Sequence, residues 1–234
     1  MRKRLIATAL VCATLLSFVG CGNVASKKPT NDTTVEPEID QNAWKSGKFT
    51  FAGVELEIGK TTLRELKTVV ETMSHVNKKG ETEYACVEIP KMKVEPHKTM
   101  HYLATPNIHL LTDYSVIGSG GNLNVYNPTD TAIEPIDGYV CELRINYSTT
   151  NPYAILDIIE NDGEFIDLVL PNGVTFGTSM HDVIKLYGEP TKINYTDYGD
   201  WYVYKADTFN LLLNLKSNYV SEISYVMTDT SVIQ

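Results

Sequence analysis

Twenty-one residues near the C-terminus, LPNGVTFGTSMHDVIKLYGEP from Leu170 to Pro190, constrain this chain more than any other stretch. Ser179 is an N-cap residue with an acid, Asp182, three positions on. Met180, Val183, Ile184 and Tyr187 then fall on one face at helical spacing. Gly188 suits a left-handed C-cap and Pro190 prevents continuation, so the helix has a defined start and stop. Three strand-like runs follow, Trp201–Tyr204, Phe209–Lys216 and Ser221–Met227, with turns at Asp207-Thr208 and Ser217-Asn218. In the middle run Phe209, Leu211, Leu213 and Leu215 alternate with Asn210, Leu212, Asn214 and Lys216, the pattern of a strand with one wet face. The unit is a helix on an antiparallel meander.

A similar unit stands earlier. Ile58-Gly59-Lys60-Thr61-Thr62-Leu63-Arg64-Glu65-Leu66 aligns with Phe176-Gly177-Thr178-Ser179-Met180-His181-Asp182-Val183 once Lys60 is skipped. Tyr139-Val140-Cys141-Glu142-Leu143 matches Tyr219-Val220-Ser221-Glu222-Ile223, and Asn122-Leu123 is paired with Asn210-Leu211. Three matches in one order predict a tandem duplication. The first helix is capped by Thr62 with Glu65 in the box position, and Leu63, Leu66, Val69, Val70 and Met73 line its face. Strands are expected over 49–56, 84–89, 91–95, 109–117, 122–126 and 139–147, with Gly118-Ser119-Gly120-Gly121 as a hairpin tip. Asn151-Pro152 opens either a short helix through Ile159 or a strand. The expected fold class is α+β: two tandem repeats, 45–150 (longer and divergent) and 165–234, each a helix packed on an antiparallel β-meander, with 151–164 as a connector.

The N-terminus reads as an address. Arg2, Lys3 and Arg4 precede an apolar run from Leu5 to Phe18 that is too short to span a bilayer comfortably, then small residues and Cys21. Residues 1–20 are a signal peptide by this pattern, and Gly20-Cys21 resembles the lipobox of bacterial lipoproteins. The resemblance implies a diacylglyceryl Cys21, with palmitate-type acylation holding the protein on the membrane. Residues 21–44 are polar and rich in Thr, Asn and Pro, with little to bury, and read as a flexible tether.

Charge excludes one class of partner. The chain carries 20 Lys+Arg against 29 Asp+Glu, and without Arg2, Lys3 and Arg4 the balance is 17 against 29, a charge of −12. Such a surface repels nucleic acid and anionic lipid, so membrane attachment must come from the lipid on Cys21. After loss of Cys12 with the signal, Cys86 and Cys141 remain, in a compartment that permits a disulfide. Cys141 alternates with a core set while Cys86 alternates with Tyr84 and Glu88, an arrangement against a bridge; a disulfide and a buried free thiol both stay open.

Signals for chemistry are thin. His97 and His101 are four apart, and His109 or Asp113 could complete a metal site if the segment were helical. Pro96 and the neighbouring Val, Tyr and Thr favour strand or loop, where positions four apart are roughly 13 Å from each other. His181 and Asp182 are sequence neighbours on a first helical turn, where an acid serves capping and adjacent side chains do not face one another. No motif requires a cofactor, and no catalytic constellation emerges.

Gly173-Val174-Thr175-Phe176-Gly177-Thr178-Ser179, the helix, Tyr187-Gly188-Glu189-Pro190 and the aromatic strand Trp201–Tyr204 resemble modules in lipoproteins of Gram-positive bacteria. More distantly they are similar to β-lactamase inhibitory protein, a tandem of helix-plus-sheet repeats, and to the small outer-membrane lipoprotein of the β-barrel assembly machinery. Those families bind other proteins, and the resemblance implies the same here. The expected function is a non-catalytic, lipid-anchored binding protein outside the cytoplasm. It would recognise a protein or cell-wall component through an open sheet face, with Tyr195, Tyr198, Trp201, Tyr202 and Tyr204 as candidate surface. The alternatives are a metal-binding protein or enzyme using the His97/His101 region, and a solute receptor for a transporter.

Overall fold

A computed structural model describes residues 38–76, 80–100, 107–110, 119–147, 154–160 and 165–233. The signal peptide, Cys21 and most of the tether lie outside the described residues, as do His101, Asp113 and Asn151-Pro152. The chain opens with the hairpin β1 (Lys48–Phe51) and β2 (Val54–Glu57), then α1 (Leu63–Val70). β3 (Ser74–Val76) and β4 (Thr82–Tyr84) pair as a hairpin, and β5 (Cys86–Glu88), β6 (Asn107–Leu110), β7 (Ser119–Tyr126) and β8 (Tyr139–Tyr147) follow. α2 (Ala154–Glu160) and β9 (Leu168–Val169) lead to α3 (Met180–Tyr187), and β10 (Lys192–Asn194), β11 (Asp200–Lys205), β12 (Phe209–Lys216) and β13 (Tyr219–Met227) complete an α+β fold.

The helix ends follow their sequence signals. Thr62 Oγ1 accepts the Glu65 N–H at 3.3 Å while Glu65 Oε2 accepts the Thr62 N–H at 2.8 Å, a reciprocal box. At α3, Ser179 Oγ accepts the Asp182 N–H at 3.1 Å; Gly188 takes φ 75° but ψ −171°, so it ends the helix at positive φ without forming the expected left-handed C-cap. Met73, expected on the α1 face, lies beyond the end of that helix. The segment after Pro152 is a helix, with Ile155 and Ile158 buried.

Eight strands form one antiparallel sheet in the order β10-β11-β12-β13-β8-β7-β6-β5. It consists of two meanders, β5–β8 and β10–β13, whose last strands pair with each other. The pairs Glu222–Asn146 and Val226–Glu142 lie symmetrically about Ser224–Arg144, so the join has a local two-fold. A smaller sheet, β2-β1-β9, ties the hairpin before α1 to the strand before α3 through Thr50–Val169 and Phe51–Leu168. Both joins merge the interiors: residues of α1, α2, α3 and both sheets belong to one hydrophobic core.

Each helix start is fastened to its meander by the same bonds. Gly59 N–H donates to Val140 O at 2.7 Å, Val140 N–H to Thr61 O at 2.9 Å and Leu63 N–H to Gly138 O at 2.9 Å. Gly177 N–H donates to Val220 O at 2.9 Å, Val220 N–H to Thr178 O at 3.0 Å and Met180 N–H to Asn218 O at 2.8 Å. Each β-pair slips at an asparagine, Asn124/Val125 in β7–β8 and Asn214/Leu215 in β12–β13. These registers correct one sequence pairing: Asn122-Leu123 stands where Leu212-Leu213 stands, two residues from Asn210-Leu211, because both lie opposite corresponding residues of the last strand.

Other expectations shift. Trp44, read as tether, is 4 % exposed and packs on Tyr204 with ring centroids 5.8 Å apart, while Asn172 Nδ2 donates to Asp40 O; the folded part begins before Trp44. The run 49–56 is two strands, turned at Ala52 and Gly53 with φ 47° and 75°. Residues 91–95 contribute only the bridge Val94–Ile133, and Ser119-Gly120-Gly121 begin β7 instead of forming a tip. Cys86 and Cys141 are free thiols, one exposed and one buried. They lie on β5 and β8, three strands or about 14 Å apart across the sheet, beyond the reach of a bridge. Among the described residues no helix is long and apolar enough to cross a membrane.

Candidate functional site

Sidedness defines the site. Leu123, Leu143, Ile145, Leu211, Leu213, Ile223 and Tyr225 point into the core, where α1, α2 and α3 also bury their apolar faces. The residues between them form the second face of the sheet, and that face is polar. One row of paired positions runs Asn194, Trp201, Asn214, Glu222, Asn146, Gly120 across six strands. The neighbouring row runs Lys192, Val203, Leu212, Ser224, Arg144, Asn122.

Arg144 organises the centre. Its Nε pairs with Glu222 Oε1, and its guanidinium carbon lies 5.7 Å from the centre of the Trp201 ring. Between Arg144 on β8 and Trp201 on β11 lie β13 and β12, and the β13 residue opposite Arg144 is the small, buried Ser224. Glu222 is 8 % exposed, so its charge is largely withdrawn from water and its ion pair depends on that guanidinium. Trp201 is half-buried, with cation–π contact from Arg144. Beside this group Asn124 Nδ2 donates to Glu142 Oε2, and Ser221 Oγ donates to Asn214 Oδ1 at 3.1 Å.

The five aromatic candidates separate into three places. Tyr195 and Tyr198, each 76 % exposed, stand at the β10–β11 turn. Trp201 lies on the polar face. Tyr202 and Tyr204 are core residues at 5 % and 2 % exposure and are removed from the candidate surface. The reason is register. The turn closed by the 2.8 Å bond from Ala206 N–H to Phe209 O sets Lys205 opposite Asn210, hence Tyr204 opposite Leu211 and Tyr202 opposite Leu213. Tyr204 donates its hydroxyl to Gly188 O at 3.1 Å, and burial pushes its phenol pKa well above the usual value.

Among the depressions formed by the described residues, two lie near elements that carry candidates. A cleft of about 300 Å³ at the β10–β11 turn is lined by Tyr198, Asp200, Tyr202, Met180, Lys216 and Asn218. A shallower one of about 600 Å³ between β2 and α1 is lined by Leu56, Glu57, Lys60, Arg64, Glu65 and Val69. His97 sits at φ 53° with Nε2 2.9 Å from Asp130 Oδ1, at the surface. His109 is in β6, and among the described residues no group of three His, Cys, Asp or Glu side chains stands close enough to hold a metal.

Sequence reasoning found Trp201 but missed its partners. Arg144 and Glu222 belong to the last strands of different meanders, 78 residues apart in the chain, and only the β8–β13 pairing brings them together. The local signal was asparagine: Asn122, Asn124, Asn210 and Asn214 sit inside strands, where that residue is disfavoured, and all lie on the polar face, Asn214 buried there. Comparison with protein-family models, curated proteins and solved structures finds no match.

Proposed function

We propose that this chain is a lipid-anchored extracytoplasmic binding protein, without catalytic activity, whose folded part was built by tandem duplication of a helix-and-meander unit. Cys21 would carry the lipid and the polar segment after it would lift the domain from the membrane. The working surface would be the polar face of the eight-stranded sheet, directed at a protein or cell-wall component.

One observation carries this reading. All three helices pack on one side of the sheet, and the opposite side concentrates Trp201, Arg144 and Glu222 at its centre. A tryptophan and an arginine held together in a partly desolvated patch are the residue types on which binding energy concentrates. The repeated helix-start bonds and the two-fold β8–β13 join support the duplication. Affinity capture from cell-surface extract, comparing the native chain with Arg144→Glu, tests the surface. Saturable capture lost in the variant is expected, and capture of nothing by either overturns the reading. Metabolic labelling with a palmitate analogue, expected to disappear in Cys21→Ser, tests the anchor.

A further inference from the structure

The two depressions differ in how their charges are met. Between β2 and α1, Glu55 pairs with Lys48, Glu57 with Lys60 and Arg64 with Asp137, while Glu65 accepts the Thr62 N–H. In the smaller cleft at the β10–β11 turn, Asp197, Asp200 and Lys216 have no ion-pair partner among the described residues. Tyr202 adds a fourth open group. It is 5 % exposed, and its hydroxyl makes no hydrogen bond among the described residues. Every fully occluded side-chain polar atom of those residues has a partner, so this hydroxyl keeps contact with water, and the cleft is where Tyr202 meets it. Burial first, and the Asp200 charge second, raise its pKa, which leaves a neutral phenol able to donate and to accept. Met180 and Leu215 supply apolar wall. The cleft is also where the halves diverge: Ser217-Asn218 is a two-residue turn between β12 and β13, while residues 127–138 join β7 to β8.

We infer that this cleft binds a free amino acid with an apolar side chain. Its ammonium group would be held by Asp197 and Asp200, its carboxylate by Lys216 and the Tyr202 hydroxyl, and its side chain would lie against Met180 and Leu215. Unmet charges of both signs around one small cavity call for a ligand that carries both. A simple amine would leave Lys216 without a partner, and a simple carboxylate would leave both aspartates so. Hydrogen bonds to ionised groups are the strong ones, and here they would act at both ends of one molecule. At about 300 Å³ the cleft is at the small end of ligand sites, which suits an amino acid better than a peptide or a sugar chain. Arg144, Glu222 and Trp201 do not line it, so binding here does not depend on the polar face being the working surface.

The test is calorimetric titration of the full-length chain in detergent with L-leucine and L-phenylalanine. Each is compared with its analogues lacking one charge, isoamylamine and isocaproate for leucine, phenethylamine and hydrocinnamate for phenylalanine. Saturable binding of at least one amino acid is expected, with both of its analogues at least tenfold weaker. Asp200→Asn and Lys216→Gln should each weaken the amino acid at least tenfold, Tyr202→Phe several-fold, and Arg144→Glu not at all. If Asp200→Asn fails to fold, Lys216→Gln decides instead. Absence of saturable binding of both amino acids at millimolar concentration overturns the inference, as does an analogue that binds as tightly or binding indifferent to the variant that decides. Loss of amino-acid binding in a folded Arg144→Glu would move the ligand to the polar face and overturn it too. If amino acids fail while a captured protein is lost in Arg144→Glu, the cleft falls and the working surface stands.

Discussion

The two helix-and-meander halves solve one problem with different margins. In the C-terminal half, β11, β12 and β13 are long and paired along their lengths with one slip at Asn214/Leu215, and α3 is closed at both ends by Ser179 and Gly188. In the N-terminal half, β5 has three residues, β7 carries Gly120-Gly121 near its start, and α1 ends without a glycine. Gly121 is obligatory there, because a Cβ would collide with the Arg144 carbonyl, whereas the corresponding Leu211 of β12 is a fully buried core residue. The difference teaches that the C-terminal meander is specified by its own side chains. The N-terminal one leans on backbone approach and on the β8–β13 join.

If the halves share one core, equivalent core losses must cost alike. Leu123 and Leu213 occupy corresponding positions opposite Leu143 and Ile223, and both are fully buried. Leu123→Ala and Leu213→Ala are each expected to cost about 3 kcal/mol, within the usual range for a buried leucine. Urea unfolding followed by circular dichroism and by tryptophan fluorescence should show one shared transition displaced in both variants. Two transitions, with only one moved by each variant, would break the single-core description.

Next in size are the glycines ahead of each helix. Gly59 and Gly177 have φ 83° and 74°, where any side chain is strained by about 1–2 kcal/mol. A Cβ at Gly59 meets the flexible end of Met227 at 2.9 Å, while at Gly177 it meets the Phe165 ring at 2.5 Å. Gly177→Ala is therefore expected to be less stable than Gly59→Ala by roughly another 1–3 kcal/mol of overpacking, read as a lower urea midpoint. Equal losses would mean that the Phe165 ring yields as readily as the thioether.

Capping effects are smaller. Thr62→Ala and Ser179→Ala should each cost about 1 kcal/mol. Glu65→Ala should cost more than Asp182→Ala, because Glu65 returns a bond to the Thr62 backbone N–H while the Asp182 carboxylate meets only the Ser179 hydroxyl, at 2.7 Å. Thermal melts of the four variants check the order, and the reverse order would refute the contrast between the two caps.

Both helices, their caps and the three C-terminal strands were legible in the sequence because each is set by local rules: a cap, a period, a turn. The facing of Trp201–Tyr204 was not read, since Trp-Tyr-Val-Tyr is apolar on both faces and alternation alone cannot choose. Counting outward from the Asp207-Thr208 turn would have placed Tyr204 beside Leu211. Trp44 was lost to its company, one large apolar residue at the end of a polar segment, anchored by contacts to residues far along the chain. The Arg144–Glu222–Trp201 group was out of reach for the same reason: it depends on pairing between strands that no short-range pattern connects.

The smallest expected effect is also the closest comparison. Cys141 and Ser221 occupy equivalent places, and each donates to the carbonyl of the asparagine at its bulge, Asn124 O at 3.3 Å and Asn214 O at 3.0 Å. Cys141→Ser therefore places in the first half a group that the second already accommodates, and should change stability at neutral pH by less than about 1 kcal/mol. Its effect should appear in alkali. Burial first, and the Glu142 charge second, push the Cys141 thiol from 9.0 up to about 12. Above pH 9 the unfolded thiol loses its proton while the folded one keeps it. The folded state then binds more protons, and stability falls as pH rises, until the folded thiol also ionises near 12. Serine has no such titration, so the variant should show a shallower loss of stability between pH 9 and 12. The remaining slope belongs to groups such as Tyr187, Tyr204 and Tyr225, whose phenols burial also raises. Urea midpoints measured across that range decide it: an unchanged slope in Cys141→Ser would show that the thiol is not held as Ser221 is.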